Sequence, residues 1–125
     1  QSIYDNSHIS RLDVSKTEQF RYYISRNLCS HITISDAAKN LGLSTSHLSK
    51  IISRDMGTTF TQYLTQCRME EAKRMLRTSS QSVISISLML KFNEPTYFMR
   101  QFKKYTGMSC TEYRRTVGEA KGGGS

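Results

Sequence analysis

Phe92, Asn93, Glu94, Pro95, Thr96, Tyr97, Phe98, Met99, Arg100, Gln101, Phe102, Lys103, Lys104, Tyr105, Thr106, Gly107 and Met108 form a segment with two unlike faces. Phe98, Phe102 and Tyr105 are four and three positions apart, the spacing that gathers side chains on one helical face, here a face that points to a core. Thr96, Arg100 and Lys103 fall on the opposite face, which starts uncharged and becomes basic. Asn93 is placed to accept a backbone hydrogen bond as N-cap, and Pro95 suits a first turn whose N–H groups have no helical partners. Gly107 can take the left-handed conformation that ends a helix. The spacing predicts one helix of about a dozen residues.

The segment has an earlier copy. Shifted by fifty positions, Ser46, His47, Leu48, Ser49, Lys50, Ile52, Arg54, Gly57, Thr59 and Tyr63 lie over Thr96, Tyr97, Phe98, Met99, Arg100, Phe102, Lys104, Gly107, Ser109 and Tyr113. Upstream the shift is 49, pairing Ile34, Ala37, Leu41 and Leu43 with Val83, Ile86, Leu90 and Phe92, so one residue has been added to the second turn. A stacked solenoid wants about three repeats or more, so two similar small modules are the simpler reading.

The 125 residues make one domain or two very small lobes, and a lobe of about fifty residues is marginal as an independent core. The formal charge is +8, with a sequence pI of about 9.6. A value above about 9 marks an electrostatic footprint for nucleic acid, although a basic domain without a polyanion partner has the same composition. The distribution favours the first. Residues 91–115 carry six Lys or Arg against two Glu, while residues 1–90 carry eleven against seven Asp or Glu. Cys29, Cys67 and Cys110 are odd in number and contain no C-x-x-C pair, which supports neither a disulfide framework nor a zinc site and fits reduced thiols in a cytoplasm. No apolar run approaches membrane-span length, so no membrane partner is expected.

Along the chain, residues 1–14 read as a linker stub. Phe20, Tyr23, Ile24 and Leu28 predict a first helix from Ser15 or Lys16 to Cys29, packed on the first lobe. Thr33 and Asp36 form a capping-box start for a second helix with Ile34, Ala37, Ala38 and Leu41 inward, closed by Gly42. Ser44 caps a third, with Leu48, Ile51 and Ile52 inward and Ser46, Ser49, Lys50 and Ser53 outward. Two helices joined by a tight turn containing Gly make a helix-turn-helix, whose second member is available for a DNA groove. Thr59 then caps a long helix traced by Phe60, Tyr63, Leu64, Cys67, Glu71, Ala72, Met75 and Leu76. At roughly 17 residues, about 26 Å, it is long enough to set two reader helices about one DNA turn apart. Val83, Ile84, Ile86, Leu88 and Leu90 mark the support helix of the second copy, and a last helix is expected over Ser109–Thr116. The expected divisions are 15–76 for the first lobe with the linker helix, 77–117 for the second lobe, and 118–125 for a flexible tail.

Phe92 with Thr96, Tyr97, Phe98, Arg100, Phe102, Lys103, Lys104, Gly107, Ser109, Tyr113 and Arg114 closely resembles the C-terminal signature of AraC/XylS-type transcription regulators. Arg68, Ala72 and Leu76 resemble the linker helix of that family, and the resemblance covers about residues 16–116. It implies an all-α fold of seven helices, with two helix-turn-helix lobes joined by the long helix and both reader helices in successive major grooves. As partners it implies double-stranded DNA, an upstream sensor or receiver domain in the full-length chain, and RNA polymerase. The chain departs from the pattern at Lys91, where Gly is usual, at Cys110, where Pro is usual, and at Ser87, where Ala is usual. A Cβ at residue 91 is costly if that turn needs a positive φ.

The base-reading candidates are Thr45, Ser46, Ser49 and Lys50 on the first reader helix and Thr96 and Arg100 on the second. Lys50 and Arg100 can donate to guanine O6 and N7, whereas the hydroxyls suit several bases. Met99 fits either a core filler, the more frequent role, or a contact to a thymine methyl. Arg54, Lys103, Lys104, Arg114 and Arg115 are the phosphate candidates, beside the blander reading that part of them is solvated charge. Arg68 reads as an intramolecular partner of a carboxylate or a helix end. His8, His31 and His47 are scattered, no phosphate-binding glycine loop appears, and no nucleophile, base and orienting acid stand together, so the expectation is no enzyme, no metal and no cofactor. These observations point to sequence-specific binding of double-stranded DNA. The alternative is a basic helical interaction module that docks an acidic partner.

Overall fold

The computed structural model describes residues 16–124, with side chains to residue 117; the linker expected at 1–14 lies outside the described residues. They form seven helices and, among the described residues, no strand: α1 (16–25), α2 (Ile34–Leu41), α3 (Thr45–Met56), α4 (Phe60–Thr78), α5 (Val83–Met89), α6 (Pro95–Thr106) and α7 (Cys110–Gly124). Two compact units divide them. The first takes residues up to Asn27 and His31–Leu64, and the second takes Leu28–Ser30 and everything from Thr65. This division falls within α4, twelve residues before the 76/77 boundary expected from sequence, so most of the long helix packs with the second copy.

In the first unit α2 packs on α3. Thr33 and Asp36 form the expected capping box, each side chain accepting from the other's backbone N–H at 3.1 and 2.9 Å. Ala37, Ala38 and Leu41 of α2 and Leu48, Ile51 and Ile52 of α3 are buried, as are Phe20 and Ile24 of α1. The Phe20 ring meets those of Phe60 and Tyr63 at 6.1 and 5.5 Å. Helix α1 ends four residues before the expected Cys29. The Asn27 side chain donates to the Tyr23 carbonyl at 2.7 Å, taking the acceptor that a further turn would need. Leu28 is thereby released from the α1 stripe and packs against the core of the second unit, not the first lobe.

The second unit is built around Met69, Ala72, Met75 and Leu76 of α4, Ile86 of α5, Leu90 and Phe92 of the turn, Phe98 and Phe102 of α6, and Cys110. Rings run through it in series: Phe92 to Phe98 at 5.1 Å, Phe98 to Phe102 at 6.1 Å, and Phe102 edge-on to Tyr113 at 5.7 Å. Full burial of each Phe contributes about 1.5–3 kcal/mol, which makes this chain of rings the main anchor of α6. Tyr105, expected beside Phe98 and Phe102, is instead 44% exposed. It lies in the last turn of α6, past the ring series. Helix α7 runs on to Gly124, beyond the expected end at Thr116 and into the expected tail. Glu119, Ala120 and Lys121 are good helix formers, whereas Gly118, Gly122, Gly123 and Gly124 are poor ones, so propensity favours the extension only as far as Lys121.

Both helix-turn-helix turns use the same closure. The Leu43 N–H donates to the Ala38 carbonyl at 2.8 Å and the Gly42 N–H to the Lys39 carbonyl at 3.2 Å, with Gly42 left-handed. In the second copy Phe92 donates to Ser87 at 2.9 Å and Lys91 to Leu88 at 3.0 Å, with Lys91 at φ 67°. Among the described residues, Lys91 is the non-glycine residue held in the left-handed region. After that residue the first copy reaches its reader helix in three steps and the second in four, so the added residue is Asn93. The insertion moves the cap. Glu94, not Asn93, is the N-cap of α6, with Pro95 behind it, and its side chain makes no capping hydrogen bond.

Candidate nucleic-acid interface

Helix α3 is amphipathic: its Leu48, Ile51 and Ile52 are buried, and Ser44 caps it by accepting from the His47 N–H at 3.0 Å. Rotation by one helical face then exposes Thr45, Ser46, Ser49 and Lys50, the four residues expected to read bases, on one side. Helix α6 repeats the arrangement over the same length of 12 residues. With Phe98 and Phe102 inward, it exposes Thr96 and Arg100, followed by Lys103 and Lys104. The Arg100 guanidinium lies 5.9 Å from the Tyr97 ring, which steers the side chain without neutralising it. Among the described residues no ion pair engages Lys50, Arg100, Lys103 or Lys104.

Thr96, Met99, Arg100, Lys103, Lys104 and Ser109 line one open depression of about 500 Å³. Ser109 enters it from just ahead of α7. It is held there by a capping box: its hydroxyl accepts from the Glu112 N–H at 3.1 Å, and its own N–H donates to the Glu112 carboxylate at 3.0 Å. The backbone hydrogen bond from Ser109 holds the Glu112 carboxyl below the usual carboxylate range, with Lys103 and Arg115 adding to the effect. Sequence reasoning missed Ser109 as a lining residue. Its signal was the S-x-x-E pattern over residues 109–112, which predicts a cap and therefore an N-terminus close to the end of α6.

The phosphate candidates divide. Lys103, Lys104 and Arg115 are exposed. Arg54 is exposed too, but its Nε lies 2.9 Å from Asp55 Oδ1, and Thr17 donates to the other carboxylate oxygen at 3.1 Å. The Arg54 hydrogen bond, with help from Thr17, holds the Asp55 carboxyl below its ordinary value. Arg114 points inward: Nε donates to the Leu76 carbonyl at 3.2 Å and an Nη to that of Ser79 at 3.1 Å. It ties α7 to the end of α4. Arg68 is also an intramolecular partner, but its acceptors are the carbonyls of Leu28 and Ser30 at 3.1 and 2.7 Å, in the loop that follows α1 and not the carboxylate or helix end expected for it. Burial lowers its guanidinium pKa.

Cys110, at the first position of α7, is buried, and burial pushes its thiol up to about 11. A first-turn residue needs no helical partner for its N–H, so Cys fits where Pro is usual and fills the core besides. Ser87, the third departure, is fully buried and satisfied by donating to the Ile84 carbonyl at 2.8 Å. None of Cys29, Cys67 and Cys110 forms a disulfide. No helix among the described residues is long and apolar enough to cross a membrane.

A family profile described as a helix-turn-helix domain matches residues 37–116. The chain is 35% identical over 112 residues to the raffinose operon transcriptional regulatory protein RafR of Pediococcus pentosaceus, a match that takes in 87% of this chain and 40% of RafR. Its fold is similar to the C-terminal domain of AraT, a response regulator from Geobacillus stearothermophilus, at 30% identity and a TM-score of 0.74, covering 81% of this chain and 84% of that one. It is also similar to the C-terminal domain of the two-component response regulator yesN from Fusobacterium nucleatum, at 31% identity and a TM-score of 0.71, covering 78% and 96%. With two helix-turn-helix copies that expose a cationic reader helix each, the chain belongs to the AraC/XylS family of bacterial transcription regulators, as its DNA-binding domain.

Proposed function

We propose that this domain reads a specific sequence in double-stranded DNA, with α3 and α6 in successive major grooves of one duplex. The observation that carries the reading is the repeated position of Lys50 and Arg100, each exposed on the outer face of an equivalent helix and, among the described residues, engaged by no carboxylate. Both are suited to guanine O6 and N7, with Arg100 able to make a bidentate contact, and Thr45, Ser46, Ser49 and Thr96 supply hydroxyls beside them. Lys103, Lys104 and Arg115 contact phosphate, which fixes register without reading sequence. Arg54 joins them by exchanging its exposed Asp55 partner for a phosphate, a change that costs little at a surface pair. Arg114 is left out because its donors are directed to Leu76 and Ser79.

In the full-length protein a sensor or receiver domain precedes this one, and the occupied operator presents it to RNA polymerase in the cytoplasm. The support for an upstream domain is that the matched RafR is much longer and that the AraT and yesN matches are C-terminal domains of response regulators.

Titrating two variants against cognate and scrambled duplexes tests the reading. Arg100→Ala loses roughly 1–3 kcal/mol on the cognate duplex and little on the scrambled one. Lys104→Ala weakens both alike and shallows the salt dependence by about one unit. Equal losses on both duplexes for Arg100→Ala would remove direct readout, and no retardation of any duplex by micromolar wild-type protein would favour an acidic protein partner instead.

A further inference from the structure

We propose that Met99 is a specificity-determining residue, its thioether side chain lying against the 5-methyl group of a thymine next to the base pair that Arg100 reads. The inference rests on the groove reading of α6 given above and adds to it a residue and a chemical group.

Met99 does not behave as the core methionines of this chain do. Met69 and Met75 on α4 are 1% and 6% exposed and belong to the buried cluster, whereas Met99 is 38% exposed and stands outside it. It is the apolar member of the six residues that line the basic depression at α6. Thr96, Met99, Arg100 and Lys103 follow at three, one and three positions, so they form one continuous ridge. The repeat places Met99 over Ser49, which is exposed on α3 at the position of a base-reading hydroxyl.

Each polar neighbour in this ridge has a polar counterpart in a major groove, but a thioether does not. The base edges there offer one apolar group, the thymine methyl, and an unbranched, polarizable side chain adapts to it without demanding a fixed rotamer. In the free protein the exposed part of Met99 faces water among cations. Contact with a methyl group removes both apolar surfaces from water.

The test uses the whole chain and the duplex site that selection returns for the wild-type protein. Each thymine in the half-site assigned to α6 by the Arg100→Ala variant is replaced in turn by uracil, which removes the methyl and keeps the base pairing. One replacement is expected to lower wild-type affinity about fourfold, the equivalent of ~0.8 kcal/mol for one methyl taken from water. Met99→Ala should bind the thymine duplex as weakly as wild type binds the uracil duplex and show no further loss on uracil. Met99→Leu, which keeps an apolar contact, should retain the thymine preference and so exclude a folding defect. The proposal is overturned if no uracil replacement weakens the wild type, if the half-site contains no thymine, or if Met99→Ala keeps the wild-type ratio of thymine to uracil affinity. Those outcomes leave a selected site standing. Failure of the groove reading is distinct, because selection would then return no preferred sequence at all.

Discussion

Lys91 holds a φ of 67° in a turn whose counterpart in the first copy has Gly42 at 71°. For an L residue that conformation crowds Cβ against the following carbonyl, whereas glycine adopts it freely. The residue nevertheless stays there because the hydrogen bonds from Phe92 to Ser87 and from Lys91 to Leu88 close the end of α5, and the Phe92 ring packs at a tilt against Phe98. Lys91→Gly should therefore stabilise the protein by about 0.5–1 kcal/mol, the left-handed penalty less the extra chain entropy of glycine. Thermal unfolding followed by circular dichroism reads this as a midpoint raised by a few degrees. A lower midpoint would mean that the turn is not left-handed at residue 91. At Gly42 a Cβ would meet nothing within 4 Å, so Gly42→Ala isolates the opposite backbone cost, with no clash to confuse it.

The two reader helices share a length of 12 residues and an inward stripe, yet they start differently. Ser44 accepts a capping hydrogen bond from His47, while Glu94 offers none to α6, whose first turn relies on Pro95. Ser44→Ala should cost about 1 kcal/mol and Glu94→Ala less than half of that, measured as the denaturant midpoints of the single variants. Equal losses would show that α6 has a side-chain cap after all. Much of this level was legible in the sequence: the 49- and 50-residue offsets located both turns and both glycine caps and placed one added residue in the second turn, which the structure identifies as Asn93. The N-cap of α6 was misplaced because Asn is the better capping residue, and only the preference of Pro for the first helical position argues for Glu94. Arg114 was misread for another reason. Its acceptors are main-chain carbonyls 35 and 38 residues earlier, and no periodicity or charge pattern marks a carbonyl left open at a helix end. Arg68 was legible as an intramolecular partner through its place on the linker helix, but its acceptors, two carbonyls of the loop after α1, were not. Leu28 sat on the right stripe for α1, but Asn27 ended the helix before the stripe reached it.

At the scale of the whole molecule, a formal charge of +8 accounts for attraction to any duplex and for none of the choice between duplexes. Choice must come from the exposed faces of α3 and α6, which the fold presents by burying a strong apolar stripe on the other side of each. Except at Tyr105, these faces follow the sequence because burial and exposure alternate with a helical period, whereas the bases they meet leave no mark on the chain itself. The claim at the centre is that each copy reads its own window of one duplex. Selection of bound sequences from random duplexes, run in parallel on wild type, Lys50→Ala and Arg100→Ala, tests it most directly. The expected result is a two-part site with centres about 10 base pairs apart, in which Lys50→Ala relaxes positions in one part only and Arg100→Ala positions in the other only. A single uninterrupted site, or two variants that relax the same base pairs, would contradict it.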